Sequence, residues 1–229
     1  MPLLALLLVA APPAAAAQPA AASATGTLAG KITLNGLAPK LANLPVTRDM
    51  KTCGTSKPDD SLEVKDSGVK NAVVWLADLP EPKGFKPPKE KLDQQGCQFS
   101  PHVLVAPVGA TVDVINSDKA LHNVRAQAGA ERLFNYAMPV PGMVVPTRLK
   151  KEGIFRLSCD VHPWMRGWLL SLPTTHFAVS GEDGTYSIGD LPPGKHKVKI
   201  WHERFGEREA EVEIAAGSTA THDVAYNPR

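Results

Sequence analysis

The residues best suited to chemistry in this chain lie in SCDVHPWMRG, Ser158 to Gly167, where a thiol, an imidazole and a thioether fall within seven positions: Cys159, His162 and Met165. Sulfur is scarce elsewhere, with three cysteines and five methionines in 229 residues, so its concentration around one histidine calls for a reason. Thiolate and imidazole together bind soft and borderline metals, and a thioether favours copper over zinc. Two histidines, one cysteine and a weak axial methionine form the donor set of a type 1 copper centre. That set needs a second histidine, and INSDKALHNV supplies His122, 37 residues before Cys159.

Strands must position these donors. In GIFRLSC, Phe155, Leu157 and Cys159 alternate, so the sulfur shares a face with two apolar side chains and points into a core. His162 and Met165 then fall on a tight loop that Pro163 stiffens and Gly167 releases into GWLLSL. His122 follows the strand-like run ATVDVINSD and is expected in a loop at the same pole. Alternating segments recur from TGTLAGKITL onward through NAVVWLAD, HVLVAPVGATVDVIN, LHNVRAQ and FAVSGEDGTYSIGDLPPGKHKVKIWHE. With 21 prolines and 18 glycines between them and no long helical periodicity, the fold class is all-β.

Composition excludes several classes of function. The net charge is +2 with scattered Lys and Arg, which gives no footprint for nucleic acid. There is no Gly-rich phosphate loop and no Gly-x-Ser-x-Gly elbow. The opening MPLLALLLVAAPPAAAAQPAAAS has an apolar run of signal-peptide length followed by small residues, so residues 1–22 read as a signal peptide and Ala/Pro-rich tail, and the protein as periplasmic or otherwise exported. No later run is apolar enough for a transmembrane segment. In an oxidising compartment Cys53 and Cys97 can pair, which leaves Cys159 free as a ligand.

The stretch LHNV followed by CDVHPWMRG resembles the cupredoxins, and among them the amicyanin and plastocyanin branch; amicyanins share the short Cys-x-x-His-x-x-Met loop with proline after the histidine. The resemblance implies a Greek-key sandwich over residues 97–172. It also implies one type 1 copper ion on His122, Cys159, His162 and Met165, with Asn123 as the outer residue that ties the two ligand loops. A further implication is an exposed edge of His162 as the point of electron exit, rimmed by Pro163 and Trp164 as a candidate electron port.

The flanks are similar to a carboxypeptidase regulatory-like (transthyretin-like) β-sandwich, on the hallmark DGTYSIGDLPPG at Asp183 to Gly194. Residues 24–80 and 173–229 are assigned to it as a discontinuous unit, with 81–96 as a charged, proline-broken linker. Ownership of the strand at 71–78 stays open. The combination implies an exported one-electron carrier cycling Cu(II) and Cu(I), not an enzyme, whose partner is a redox protein such as a c-type cytochrome or a periplasmic dehydrogenase. The alternative is a non-redox protein for copper binding, delivery or surface attachment. A multicopper oxidase or nitrite reductase would require a further histidine cluster, which the sequence lacks. His102, Met138, Met143 and the Trp201–Glu203 triplet are expected to be structural.

Overall fold

The computed structural model describes residues 24–81 and 84–228; the leader assignment at 1–22 lies outside them. Among the described residues the chain is all-β apart from one short helix, Met50–Cys53. Among the described residues no helix is long and apolar enough to cross a membrane.

One sandwich is built from the middle of the chain. Its first sheet runs in the order Met143–Arg148, Thr111–Asn116, Lys89–Gln95, Gln98–Ser100. Its second sheet runs Glu131–Met138, His122–Ala128, Gly153–Ser158, Arg166–Leu172, Val103–Pro107, with the last pair parallel. Leu92, Val112 and Val114 from the first sheet meet Val124, Ala126, Phe155, Leu157 and Leu169 from the second in one buried cluster. Cys159 and Met165 belong to the same cluster, so the alternation through Phe155, Leu157 and Cys159 does aim the sulfur at the core.

The second sandwich draws on both ends of the chain. Gly26–Leu34 is the hub of one sheet. It pairs antiparallel with Thr185–Leu191 and Gly68–Val69, and parallel with Thr219–Thr221 and Val224–Tyr226. The facing sheet runs Phe177–Val179, Val73–Leu76, Gly194–His202, Gly206–Ile214. Leu28, Ile32, Val74, Leu76, Ile188, Val198 and Ile200 fill the space between.

The two sandwiches meet sheet to sheet, and three strands show how period two serves two cores. Val74 and Leu76 face the second core while Val73 and Trp75 face the first sandwich. Leu104 and Ala106 face the first core while Val103 and Val105 face Trp75, and Leu169 and Leu170 divide in the same way. A strand buried on both faces reads as a continuous apolar run, which is why 71–78 could not be apportioned by pattern alone. It belongs to the sheet of the second sandwich. The seam is closed at its edge by polar groups: Glu203 pairs with His102 and accepts from the Trp168 indole N–H at 2.9 Å, and the Trp168 and Trp201 rings meet edge-on at 5.1 Å.

Two expectations about boundaries need correction. The supposed linker 81–96 contains the strand Lys89–Gln95, paired in parallel with Thr111–Asn116, with Leu92 and Gln94 wholly buried. Lys89, Lys91 and Asp93 occupy the outer face of a two-period strand and mask a short inner face. The segment 24–80 is also not all in the second sandwich. Leu44–Pro45 pairs with Ser56–Lys57, Val46 and Cys53 join the first core, and Cys53 is disulfide-bonded to Cys97. The residues between the two strands at 26–34 and 64–69 thus form a strap laid over one end of the first sandwich.

Candidate metal centre

The donors reach that end by three routes. His122 opens the strand His122–Ala128 rather than sitting in the loop before it, in register with Met138. Cys159 follows the strand Gly153–Ser158, and the next six residues make a tight turn closed by the Met165 N–H donating to the His162 carbonyl at 2.9 Å. This turn brings His162 back beside the sulfur and leaves Met165 in the same buried cluster as Cys159. His122 and His162 are fully buried, Cys159 is 4% exposed and Met165 1%.

His122 Nδ1 and His162 Nδ1 lie 2.9 Å apart, and Cys159 Sγ lies 3.8 Å from His162 Nδ1. The three residues form a group whose ligand atoms all fall within 4.8 Å of one another. Each outer ring nitrogen faces a carboxylate: His122 Nε2 with Asp118 Oδ2 at 2.9 Å, and His162 Nε2 with Asp49 Oδ2 at 2.8 Å. A neutral imidazole that donates its Nε2–H to a carboxylate has a bare lone pair at Nδ1. Two such lone pairs aimed at each other across 2.9 Å repel unless a cation lies among them. Burial pushes His122 below the usual imidazole range; the Asp118 hydrogen bond opposes this and the nearby His162 reinforces it. Two buried ring nitrogens that face each other beside a thiol offer three donor atoms of the kind a soft metal ion takes.

Asn123 occupies the place the resemblance implied. Its side-chain oxygen accepts from the Asp160 N–H, its amide group donates to Asn135 and Asp160, and its backbone N–H points at Cys159 Sγ from 3.4 Å. The strand that carries His122 is thereby fastened to the loop that carries Cys159. Met138 is a fully buried core residue, and Met143 packs against the same cluster. His102 serves the seam through Glu203. A second group, Cys97, Asp118 and His122, also has metal-binding proximity, but Cys97 is spent in the disulfide.

The expected electron port is not formed. His162 has no exposed edge, and Trp164 is 5% exposed, with its indole N–H on the Cys97 carbonyl at 3.1 Å. Only Pro163 of the two rim residues is exposed. The reason is the strap: Asp49, in a left-handed backbone conformation just before the helix Met50–Cys53, sets its carboxylate on His162.

Asp49 and Asp118 were missed in the sequence. Asp118 carried a usable signal, four residues before His122 in the loop that leads into its strand; Asp49 lies 113 positions from His162 and carried none.

The two-sheet sandwich thus brings one histidine from its body to a Cys-x-x-His-x-x-Met loop at its pole. No protein-family model matches the chain, and no curated relative does. Among solved structures it is similar to a copper-containing nitrite reductase from Thermus scotoductus, at 23% identity and a TM-score of 0.33 over 41% of this chain, and spans only 25% of that enzyme's length. It is also similar to a purple cupredoxin from Nitrosopumilus maritimus, at 22% identity and a TM-score of 0.31 over 36% of this chain and 98% of that one. A reduced amicyanin variant aligns at 26% identity and a TM-score of 0.33 over 36% of this chain and 81% of its own.

Proposed function

We propose that this protein holds one type 1 copper ion on His122, Cys159 and His162, with Met165 as the weak axial donor, and carries single electrons without turning over a substrate. The observation that carries the reading is the pair of inward Nδ1 atoms beside a buried thiol, each ring held by a carboxylate on its far side. Bound copper supplies a one-electron couple; the residues supply a rigid, dry enclosure that changes little between charge states. Export is supported by the Cys53–Cys97 disulfide beside a single free thiol. The partner would be a c-type cytochrome or a periplasmic dehydrogenase. The second sandwich, read as a regulatory-like module, would serve as scaffold.

The test is reconstitution of the purified protein with Cu(II). An intense thiolate-to-copper charge-transfer band, lost in Cys159→Ala, is the expected result; a colourless protein that takes up zinc equally well contradicts it. The burial of His162 under Asp49 favours one second reading, a protein that stores or delivers copper. Electron self-exchange and exchange with cytochrome c separate the two, since a depot holds its metal and exchanges electrons slowly.

A further inference from the structure

Residue Cys97 touches three of the groups around the two histidines: Asp118, Trp164 and the strap that carries Asp49. Gly96 and Cys97 are the central residues of the turn between Lys89–Gln95 and Gln98–Ser100, both with positive φ, 61° and 57°. That turn presents both backbone N–H groups to Asp118, at 2.7 Å each, and Asp118 in turn holds His122 Nε2. The Cys97 carbonyl accepts from Trp164, whose ring lies 4.9 Å from the His162 ring. The Cys97 sulfur is bonded to Cys53, at the end of the helix that begins just after Asp49, and Asp49 holds His162 Nε2.

We infer that Asp49, Asp118 and the Cys53–Cys97 disulfide form a single positioning device, in which one covalent bond keeps a carboxylate on the outer nitrogen of each histidine and thereby biases the bound metal toward its higher charge state. The inference rests on the copper reading proposed above and deepens it. A carboxylate on the far ring nitrogen fixes the tautomer and makes the inner nitrogen a stronger donor. Two such anions favour Cu(II) over Cu(I), because the oxidised ion carries the larger positive charge. Asp118 is 9% exposed in its side chain and Asp49 49%, so Asp118 acts through less water and has the larger influence. Asp49 has a second role: it occupies the edge of His162 through which a partner would otherwise make contact. The strap has no hold on the first sandwich as strong as its disulfide. Its other ties include Val46 and Cys53 in the first core, Leu44 packed against it, and the Asp60 carboxylate, which accepts from the Gln98 side-chain amide at 2.7 Å.

Three variants test this: Asp49→Asn, Asp49→Glu and Cys53→Ser/Cys97→Ser. Asp49→Asn keeps a hydrogen-bond acceptor and removes the charge. It is expected to lower the ratio of Cu(II) to Cu(I) affinity by about tenfold, which for a one-electron couple raises the reduction potential by about 59 mV. Asp49→Glu restores most of the shift, which a loss of mere packing would not allow. The double serine variant shifts the potential in the same direction. In the metal-free protein it also lets Cys159 react with an alkylating reagent several-fold faster, a readout that does not depend on copper. If the double variant fails to fold, Asp49→Asn decides alone. A coloured wild type whose potential is unchanged in Asp49→Asn overturns the inference and leaves the type 1 reading standing. A wild type that binds Cu(II) without the charge-transfer band overturns both.

Discussion

The two sandwiches solve the same packing problem and differ at their ends. In the second, strands are joined by compact turns in which polar side chains cap their own backbone; Asp183, for example, accepts from the Thr185 N–H and hydroxyl. Its histidines are absorbed by the fold: His196 sits between Asp78 and the Pro192 carbonyl, and His202 packs against Phe205. In the first, one pole gathers a free thiol, two fully buried histidines, two carboxylates and a disulfide, tied by contacts up to 113 residues apart in sequence. Local turns suffice to end a strand, but the buried histidine pair has its outer nitrogens held from two directions. One of the two carboxylates comes from a strap laid over the pole of the first sandwich.

The comparison is broken most directly by cutting the strap. A disulfide that closes a loop over a sequence separation of 44 constrains the unfolded chain by about 4 kcal/mol in the entropic account. Cys53→Ser/Cys97→Ser is therefore expected to lower the stability of the first sandwich by that order in chemical denaturation. The second should unfold along with it only to the extent that the shared seam holds them together. Equal loss reported by Trp201 in the seam and by Tyr186 in the second core would show one cooperative unit.

The next largest effect sharpens the contrast between histidines. Burial pushes His202 down to about 4, against opposing influence from Glu203 and the Lys70 backbone. Its folded pKa is below its unfolded value of 6.5, so the stability gained by keeping it neutral is whole above pH 6.5 and lost as pH falls toward about 4. The loss over that window is at most about 3 kcal/mol, and His202→Gln should flatten it in denaturant titrations across pH. His102 behaves oppositely. Burial alone would lower it, but the Glu203 hydrogen bond and charge prevail and raise it. The stability from that pair is complete below pH 6.5 and lost as pH climbs through the raised value. Acid thus weakens the second core while alkali weakens the seam.

Smaller changes separate packing from surface charge. Val105→Ala removes apolar contact from the seam and should cost about 2 kcal/mol by thermal melting, because Val105 fills space between sheets that cannot easily close. Lys199→Ala breaks a pairing with Glu207 and Glu209 on the solvent face of the second sandwich and should cost less than ~1 kcal/mol, diminishing with added salt. A seam substitution no more harmful than the surface one would mean that the two sandwiches merely touch.

Much of the molecule was legible from residue order alone because the relevant physics is local. Period-two alternation marked most of the strands, and the seven residues from Cys159 to Met165 marked one loop that carries a thiol, an imidazole and a thioether. The Asn123 bridge was implied by the family resemblance rather than by the residue pattern, and its side chain does join the strand of His122 to the loop of Cys159. Where strands are apolar on both faces, as at Val73–Leu76, or charged on the visible face, as at Lys89–Gln95, alternation could not say which sheet would claim them. That decision belongs to the packing of whole sheets. The tertiary structure alone placed Asp49 on His162 and closed the edge expected to face solvent. A contact between residues 113 apart leaves no periodic trace in sequence; it exists because a disulfide and a few buried side chains bring one sandwich's loop over the other's pole.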